Sequence, residues 1–90
     1  MLKTLEELIT IIRQRKKSSA EESYTKKLLN NKKLNVEKVK EEIAELIDSI
    51  EKNSNKVHEA ADVLYHLMVL LEANGIKIED VMDELKKRQK

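Results

Sequence analysis

The sequence contains no cysteine, proline, tryptophan or phenylalanine, and it has a single glycine and two tyrosines. Without cysteine the chain forms no disulfide and offers no thiolate, either as a nucleophile or as a zinc ligand. So few turn-forming residues argue against a sandwich or barrel of many short strands. The longest continuous apolar run, Leu67 to Leu71, is far shorter than the roughly 20 residues that cross a membrane.

Charge of neither sign dominates, since 18 lysines and arginines stand against 17 aspartates and glutamates. A nucleic-acid-binding domain normally has a strongly basic face, and the missing Phe and Trp remove the usual base-stacking side chains. Glu6 and Glu7 stand where a signal peptide would have basic and then apolar residues. We therefore expect a soluble, cytoplasmic protein with one domain over residues 1–90, which binds neither nucleic acid nor membranes.

Apolar residues recur at helical spacing along the chain, beginning with a stripe from Leu5 to Ile12. The single glycine, Gly75, suits the left-handed residue after the end of a helix. This pattern predicts an all-α bundle of four to five helices. The predicted elements are a helix over the first stripe, a short helix near 26–29, a helix from a cap at Asn35 to Lys52, a turn at 53–55, a helix over 56–73 and a helix over 78–88.

Apolar faces of the later helices bear on assembly. The fourth helix is apolar over an arc of roughly 180°, whereas a helix packed on one side needs a stripe only a little wider than about 100°. A small protomer with little aromatic volume covers such a face most simply in a symmetric dimer whose helices complete a shared bundle. The alternative is a monomer in which the first and last helices cover both flanks. The third helix has the apolar stripe Val36, Val39, Ile43, Leu46, Ile47 and Ile50, and the last is expected to point Val81, Met82 and Leu85 inward.

Acidic side chains share one face on each of two neighbouring predicted helices. Glu42 and Glu45 lie three residues apart on the third helix, and Glu59 and Asp62 have the same spacing on the fourth. Two antiparallel helices joined by a short turn bring such faces together, and helical bundles build metal sites from carboxylates in this way. Oxygen ligands suit Mg²⁺ or Mn²⁺, and protein-bound Mg²⁺ commonly also binds substrate phosphates. The alternative is a solvated acidic face in which Lys38 pairs with Glu42.

Several segments together resemble a known family. Glu41-Glu42-x-x-Glu45, followed after residues 46–58 by Glu59-x-x-Asp62, resembles the signature of the all-α, MazG-like nucleotide pyrophosphohydrolases. Further segments are similar to one branch of them, the phosphoribosyl-ATP pyrophosphohydrolases of histidine biosynthesis. These segments are Ser23-Tyr24-Thr25-x-Lys27-Leu28, which generic pyrophosphohydrolases lack, the run from Glu59 to His66, and the tail from Glu79 to Arg88.

The resemblance implies a dimeric helical bundle that uses Mg²⁺, or Mn²⁺ in its place, to hydrolyse phosphoribosyl-ATP to phosphoribosyl-AMP and pyrophosphate. Glu41 would be a further ligand, or would orient or deprotonate the attacking water. The phosphoribosyl-AMP cyclohydrolase of the next step is a candidate partner. The implied metal ligands are Glu42, Glu45, Glu59 and Asp62. The implied substrate-binding residues are Ser23, Thr25 and Lys27, to which the sequence adds Lys38 as a further cationic candidate.

Alternatives stay open for the function and for single residues. The chain would otherwise be a housecleaning hydrolase of nucleoside triphosphates, or a non-catalytic helical dimerisation module. Ser23 and Thr25 also suit the capping of a short helix, and Tyr24 is expected to pack. His66 is expected either to hold the Asp62 carboxylate for the metal or to make an ordinary surface hydrogen bond.

Overall fold

The computed structural model describes residues 2–17 and 23–89 and places them in five α-helices. These ranges contain no strand, which confirms the predicted all-α bundle. None of the described helices combines the length and apolarity needed to cross a membrane. Part of the polar stretch predicted after the first helix, at 18–22, lies outside the described residues. The helices are α1 (Lys3–Lys17), α2 (Tyr24–Leu29), α3 (Lys32–Lys52), α4 (Lys56–Ala73) and α5 (Ile78–Arg88).

Helix α4 is the central element and packs against α1, α2 and α3. Its Met68 and Val69 are buried together with Ile9 and Ile12 of α1 and Leu28 of α2. The broad apolar arc of α4 is thus covered from more than one direction within a single chain. The monomeric alternative expected the first and last helices to cover the apolar arc of α4. Helix α1 does cover it, but the second covering helix is α2 rather than α5.

A tight turn joins α3 to α4 and sets the two helices antiparallel. Asn53 and Asn55 take left-handed φ values of 55° and 54°, which asparagine tolerates better than most residues. The Ser54 amide donates to the Ser49 carbonyl at 2.9 Å. The turn thus supplies a hydrogen-bond donor to one of the last backbone carbonyls of α3. After α4, Gly75 has a φ of 71°, as predicted. The short α3–α4 connection sets the register in which these helices face each other.

Helix α3 begins about one turn earlier than predicted, so the assignment of Asn35 as its cap was wrong. Asn31 is the N-cap, because its side chain accepts a hydrogen bond of 3.1 Å from the Leu34 amide. Asn35 lies inside the helix and is fully buried. Neither its Oδ1 nor its Nδ2 has a hydrogen-bond partner among the described residues. Packing against neighbouring helices, rather than local sequence, distinguishes these two asparagines.

Helix α3 turns a largely polar face toward the interior. Its buried residues are Asn35, Val39, Glu42 and Ser49. Of the six residues in the apolar stripe predicted for this helix, only Val39 is buried. The others are half-buried at Leu46 and exposed at Val36, Ile43, Ile47 and Ile50.

Helix α5 contacts the rest of the described fold through the ion pair between Arg13 and Glu79 and through the half-buried Ile78, which packs against the apolar core. None of its residues is buried, and the expectation that Met82 and Leu85 point inward was wrong, since both are exposed; Val81 is half-buried. The reason is that α1 and α2 already cover α4. Arg13 of α1 donates to both carboxylate oxygens of Glu79, at 3.0 and 2.7 Å. These hydrogen bonds lower the pKa of Glu79 to about 2, because they stabilise its ionised form.

Replacing Asn35 by leucine is expected to stabilise the fold. A buried polar group without a partner costs about 1–3 kcal/mol, and leucine has a similar size without polar atoms. Because about 1 kcal/mol moves the melting temperature of such a domain by about 4–8 °C, N35L should melt several degrees above the wild type. Thermal unfolding followed by circular dichroism measures the shift.

Asn31→Ala is the matched comparison, since it removes the same type of side chain from the preceding turn. It should lower the melting temperature, because loss of an N-cap costs about 1 kcal/mol. If N35L melts at or below the wild-type temperature, the Asn35 amide is not the destabilising group that its burial indicates.

Candidate active site

The α3–α4 turn places two pairs of carboxylates in register. Glu45 and Glu59 are equally distant in sequence from Lys52, and so are Glu42 and Asp62. In the folded chain the ligand atoms of Glu45 and Glu42 lie within 4.8 Å of each other, and Glu45 lines one cavity together with Glu59 of the facing helix. Asp62 acts electrostatically on Glu42 and Glu59. The four side chains expected to be metal ligands therefore lie on the facing sides of α3 and α4.

Two oxygens of this carboxylate cluster are buried without a donor. Glu42 Oε2 and Glu59 Oε2, one from each helix, have no hydrogen-bond partner among the described residues. A buried anionic oxygen without a partner is costly, and a bound cation would satisfy such an oxygen. The donor set consists of carboxylate oxygens, which suit Mg²⁺ or Mn²⁺. The ligand atoms lie within 4.8 Å of one another in two groups, which are Glu41, Glu42 and Glu45, and His58, Glu59 and Asp62.

Burial and mutual repulsion alter the pKa values of the carboxylate cluster. Burial, Glu45 and Asp62 raise the pKa of Glu42, while His66 acts in the opposite direction. Burial and Glu45 likewise raise the pKa of Glu59. A bound cation would reverse both shifts, because positive charge favours the ionised carboxylate.

Lys38 and Glu41 lie at the outer edge of the carboxylate cluster. Glu41 is exposed, and its Oε2 lies 3.6 Å from Lys38 Nζ. Lys38 therefore pairs with Glu41 and not with Glu42, the partner expected for a solvated acidic face. Glu42 is itself buried, so that alternative does not describe its carboxylate. A catalytic role for Glu41 and a substrate-binding role for Lys38 stay predictions.

The predicted substrate-binding residues near α2 make contacts within the fold. Ser23 is the N-cap of α2, since its Oγ accepts a hydrogen bond of 3.1 Å from the Lys26 amide. The Thr25 hydroxyl is hydrogen-bonded to the Tyr65 hydroxyl on α4, while Lys27 is exposed. Capping, the alternative role considered for Ser23, is thus present. Contact of these residues with substrate stays a prediction.

Sequence reasoning missed the partners of His66. Its side chain is buried, and its Nδ1 lies 2.8 Å from the backbone carbonyl of Asp62, not from the carboxylate. Its Nε2 lies 2.8 Å from the Tyr24 hydroxyl. Both tyrosine rings adjoin the imidazole, with centroids 5.7 Å away for Tyr24 and 5.0 Å away for Tyr65. The sequence signal that could have indicated these contacts is that Tyr24 and Tyr65 both lie in the segments that resemble the family, 23–28 and 59–66.

Helical bundles build divalent-cation sites from carboxylates that project inward from neighbouring helices. The fold and the carboxylate cluster therefore define the class: an all-α protein with an acidic candidate site between two antiparallel helices.

The sequence narrows this class to one family. Residues 5–89 match the phosphoribosyl-ATP pyrophosphohydrolase family, and the chain belongs to that family. A phosphoribosyl-ATP pyrophosphatase of Metallosphaera sedula is 43% identical over 93 residues, which cover 100% of both chains. One of Methanococcoides burtonii is 38% identical over 93 residues, which cover 98% of this chain and 94% of that protein.

Other relatives are longer than this chain. A histidine biosynthesis bifunctional protein of Arabidopsis thaliana is 43% identical over 95 residues, which cover 97% of this chain but 34% of that protein. A bifunctional protein of Pyrococcus furiosus is 42% identical over 90 residues, which cover 99% of this chain and 43% of that protein. The chain thus spans less than half the length of these two relatives.

Glu45→Gln is expected to stabilise the protein in the absence of divalent cations. The pKa values of Glu42 and Glu59 are raised in the folded state, so the folded protein binds more protons and its stability falls as pH rises through these values. Removing the Glu45 charge should lower both pKa values and flatten this dependence. Urea unfolding in a chelator at a series of pH values measures the slope.

Glu37→Gln is the matched control, because it removes the same charge from an exposed position of α3 outside the carboxylate cluster. It should leave the slope close to that of the wild type. Identical pH dependence in E45Q, E37Q and the wild type would show that Glu45 does not face the other carboxylates.

Proposed function

We propose that this chain hydrolyses phosphoribosyl-ATP to phosphoribosyl-AMP and pyrophosphate in a reaction that requires Mg²⁺. Family membership supports the substrate, since relatives that match over nearly their whole length are named phosphoribosyl-ATP pyrophosphatase. The observation that carries the chemistry is the position of Glu45, whose ligand atom lies within 4.8 Å of that of Glu42 and which lines one cavity with Glu59 of the facing helix. Such a set of oxygen ligands suits the cation-assisted hydrolysis of a phosphoanhydride.

The fold holds three of the four proposed cation ligands in place before substrate binds, whereas Glu45 is exposed. Glu42 is buried and Glu59 and Asp62 are half-buried, so their side chains have few alternative positions. When bound, Mg²⁺, or Mn²⁺ in its place, neutralises phosphate charge and lowers the pKa of the attacking water. The proposed ligands are Glu42, Glu45, Glu59 and Asp62.

We assign Glu41 to the attacking water. It adjoins the buried Glu42 but is itself exposed, so water reaches its carboxylate. Lys38, 3.6 Å away, favours one orientation of that carboxylate. An ionised carboxylate in this position can orient a water molecule and accept its proton.

The substrate's phosphates are proposed to bind cationic and hydroxyl side chains around the carboxylate cluster. Lys38 stands next to Glu41 on α3, and Lys27 is exposed on α2. Charge-assisted hydrogen bonds from such side chains are stronger than neutral ones, so they suit phosphate oxygens. Ser23 and Thr25 would contribute their hydroxyl groups.

Glu42→Gln and Asp62→Asn are each expected to reduce phosphoribosyl-ATP turnover by orders of magnitude, because each removes a carboxylate from the cation site. Lys27→Ala should raise KM for the substrate more than it weakens Mg²⁺ binding. Release of pyrophosphate by the purified protein, followed as a function of Mg²⁺ and substrate concentration, measures these effects.

Asp83→Asn is the control, since it makes the same chemical change on the exposed face of α5 and should turn over like the wild type. Wild-type rates in D62N would refute the site. Pyrophosphate released from nucleoside triphosphates but not from phosphoribosyl-ATP would identify a housecleaning hydrolase. No cation-dependent hydrolysis of any nucleotide would leave a non-catalytic module.

We also propose that a second copy of this chain covers the outer apolar strip of the α3–α4 hairpin. We define this strip by Ile43, Ile47, Ile50, Val57 and Leu64, whose exposed fractions are 42%, 54%, 56%, 86% and 45%. In the antiparallel register Val57 stands at the level of Ile47, so the strip has members on both helices. Contiguous exposed apolar surface is typical of interaction sites, and a self-complementary contact closes a dimer.

Ile47→Asp is expected to convert the dimer to a monomer, because it places a charge in the middle of the outer apolar strip. Ile11→Asp is the control, since Ile11 is 46% exposed but lies on α1, away from the strip. Size-exclusion chromatography with light scattering measures the mass. A monomeric wild type, or a dimeric I47D variant, would contradict the proposal.

Association with the phosphoribosyl-AMP cyclohydrolase of the next step is also proposed. Its support is that two relatives are named bifunctional proteins of histidine biosynthesis and extend well beyond the part that this chain matches. A cytoplasmic location stays a prediction from the sequence.

A further inference from the structure

Both tyrosines of the chain, which has no Phe or Trp, lie side by side, with Tyr24 at the start of α2 and Tyr65 on α4. The ring centroids of Tyr24 and Tyr65 are 6.1 Å apart and their planes differ by 18°, so one face of Tyr24 rests on Tyr65. Tyr24 also makes an edge contact with His66, whose ring plane makes an angle of 78° with the plane of the Tyr24 ring. Tyr24 is nevertheless 47% exposed, so about half of the residue's surface is accessible to solvent.

Hydrogen bonds hold the Tyr24 ring in this orientation. A backbone carbonyl only accepts, so His66 Nδ1 donates its proton to the Asp62 carbonyl at 2.8 Å. In the neutral imidazole Nε2 is then an acceptor, and the Tyr24 hydroxyl donates to it at 2.8 Å. The adjacent Thr25 is hydrogen-bonded to Tyr65. Helix α2 is thus joined to α4 at two successive residues.

Tyr24 adjoins the candidate site through His66, which accepts a hydrogen bond from the Tyr24 hydroxyl and donates one to the backbone carbonyl of Asp62. Burial raises the pKa of Tyr24, Lys38 lowers it, and Tyr65, Glu42 and Glu41 raise it. Ser23 and Thr25, which are proposed to bind the substrate's phosphates, flank Tyr24 in the sequence, so a nucleotide bound there would lie close to the Tyr24 ring. An exposed aromatic ring offers a stacking surface to any base.

We propose that the exposed ring of Tyr24 stacks against the adenine base of the substrate, and that Tyr65 and His66 are positioning residues for that ring. The assignment rests on the proposed hydrolysis of an adenine nucleotide. Stacking on the base requires the aromatic ring of Tyr24. Positioning of that ring by His66 requires the Tyr24 hydroxyl, which donates to the imidazole. Substitution therefore separates the two contributions.

Adenosine monophosphate tests the stacking without hydrolysis. The chain has no tryptophan, so its tyrosine fluorescence comes from Tyr24 and Tyr65 alone. The nucleotide should quench the wild type and Tyr65→Phe, in which Tyr24 is the remaining tyrosine. It should leave the emission of Tyr24→Phe nearly unchanged. Equal quenching in Y65F and Y24F would overturn the proposal.

Affinities test the same point independently of the spectroscopy. Tyr24→Leu should weaken adenosine monophosphate binding by roughly 10- to 100-fold, the scale of stacking on one base, and Tyr24→Phe by only a few-fold. Binding of inorganic pyrophosphate with Mg²⁺ should be unchanged in both variants. Loss of pyrophosphate affinity together with nucleotide affinity would show a merely structural role, and wild-type nucleotide affinity in Y24L would show no role; either result refutes the stacking.

Turnover distinguishes failure of this assignment from failure of the proposed function. Y24L should raise KM for phosphoribosyl-ATP far more than it lowers kcat. A wild type that turns over this substrate, with an unchanged KM in Y24L, would refute the stacking alone. A wild type that binds adenosine monophosphate through Tyr24 but hydrolyses no phosphoribosyl-ATP would refute the reaction and leave the stacking surface standing.

Discussion

The repulsion among carboxylates held between two antiparallel helices is the constraint on which the rest of this structure depends. Glu45 lies near Glu42 and lines one cavity with Glu59, and the pKa values of Glu42 and Glu59 are raised. Folding must therefore bring like charges together at a cost in free energy. The turn at 53–55 and the packing of α4 against α1, α2 and α3 hold the pairs together despite that cost. A cation that binds only the folded state would offset it, which couples stability to the proposed chemistry.

The orientation of α3 that brings these carboxylates together also decides which side chains the helix exposes. Asn35, Glu42 and Ser49 are buried on this helix, while Ile47 and Ile50 are exposed. A helix that turns its carboxylates toward its neighbour has to place its apolar stripe on the outside. The proposed cation site and the proposed dimer contact are thus two consequences of one helix orientation. A substitution that rotated α3 about its axis would change both the proposed cation site and the proposed dimer contact.

The sequence was most informative where spacing along one or two helices decides the geometry. The five helices, the turn, and the placement of Glu45 opposite Glu59 all follow from local patterns. The sequence was least informative where contacts between distant segments determine the position and partners of a side chain. Asn35 has the residue type of a cap, and only its burial against other helices shows that it is not one. His66 is bonded to Tyr24, 42 residues away, and no periodicity encodes that contact or the weak packing of α5.

A double-mutant cycle on Mn²⁺ affinity tests the central claim most directly. Free Mn²⁺ would be measured by electron paramagnetic resonance with the wild type, Glu45→Gln, Glu59→Gln and the double variant. If residues from both helices bind one shared cation, each single substitution removes most of the affinity and the second adds little, so the losses are strongly non-additive. Additive losses, or unchanged affinity in all four proteins, would contradict the account.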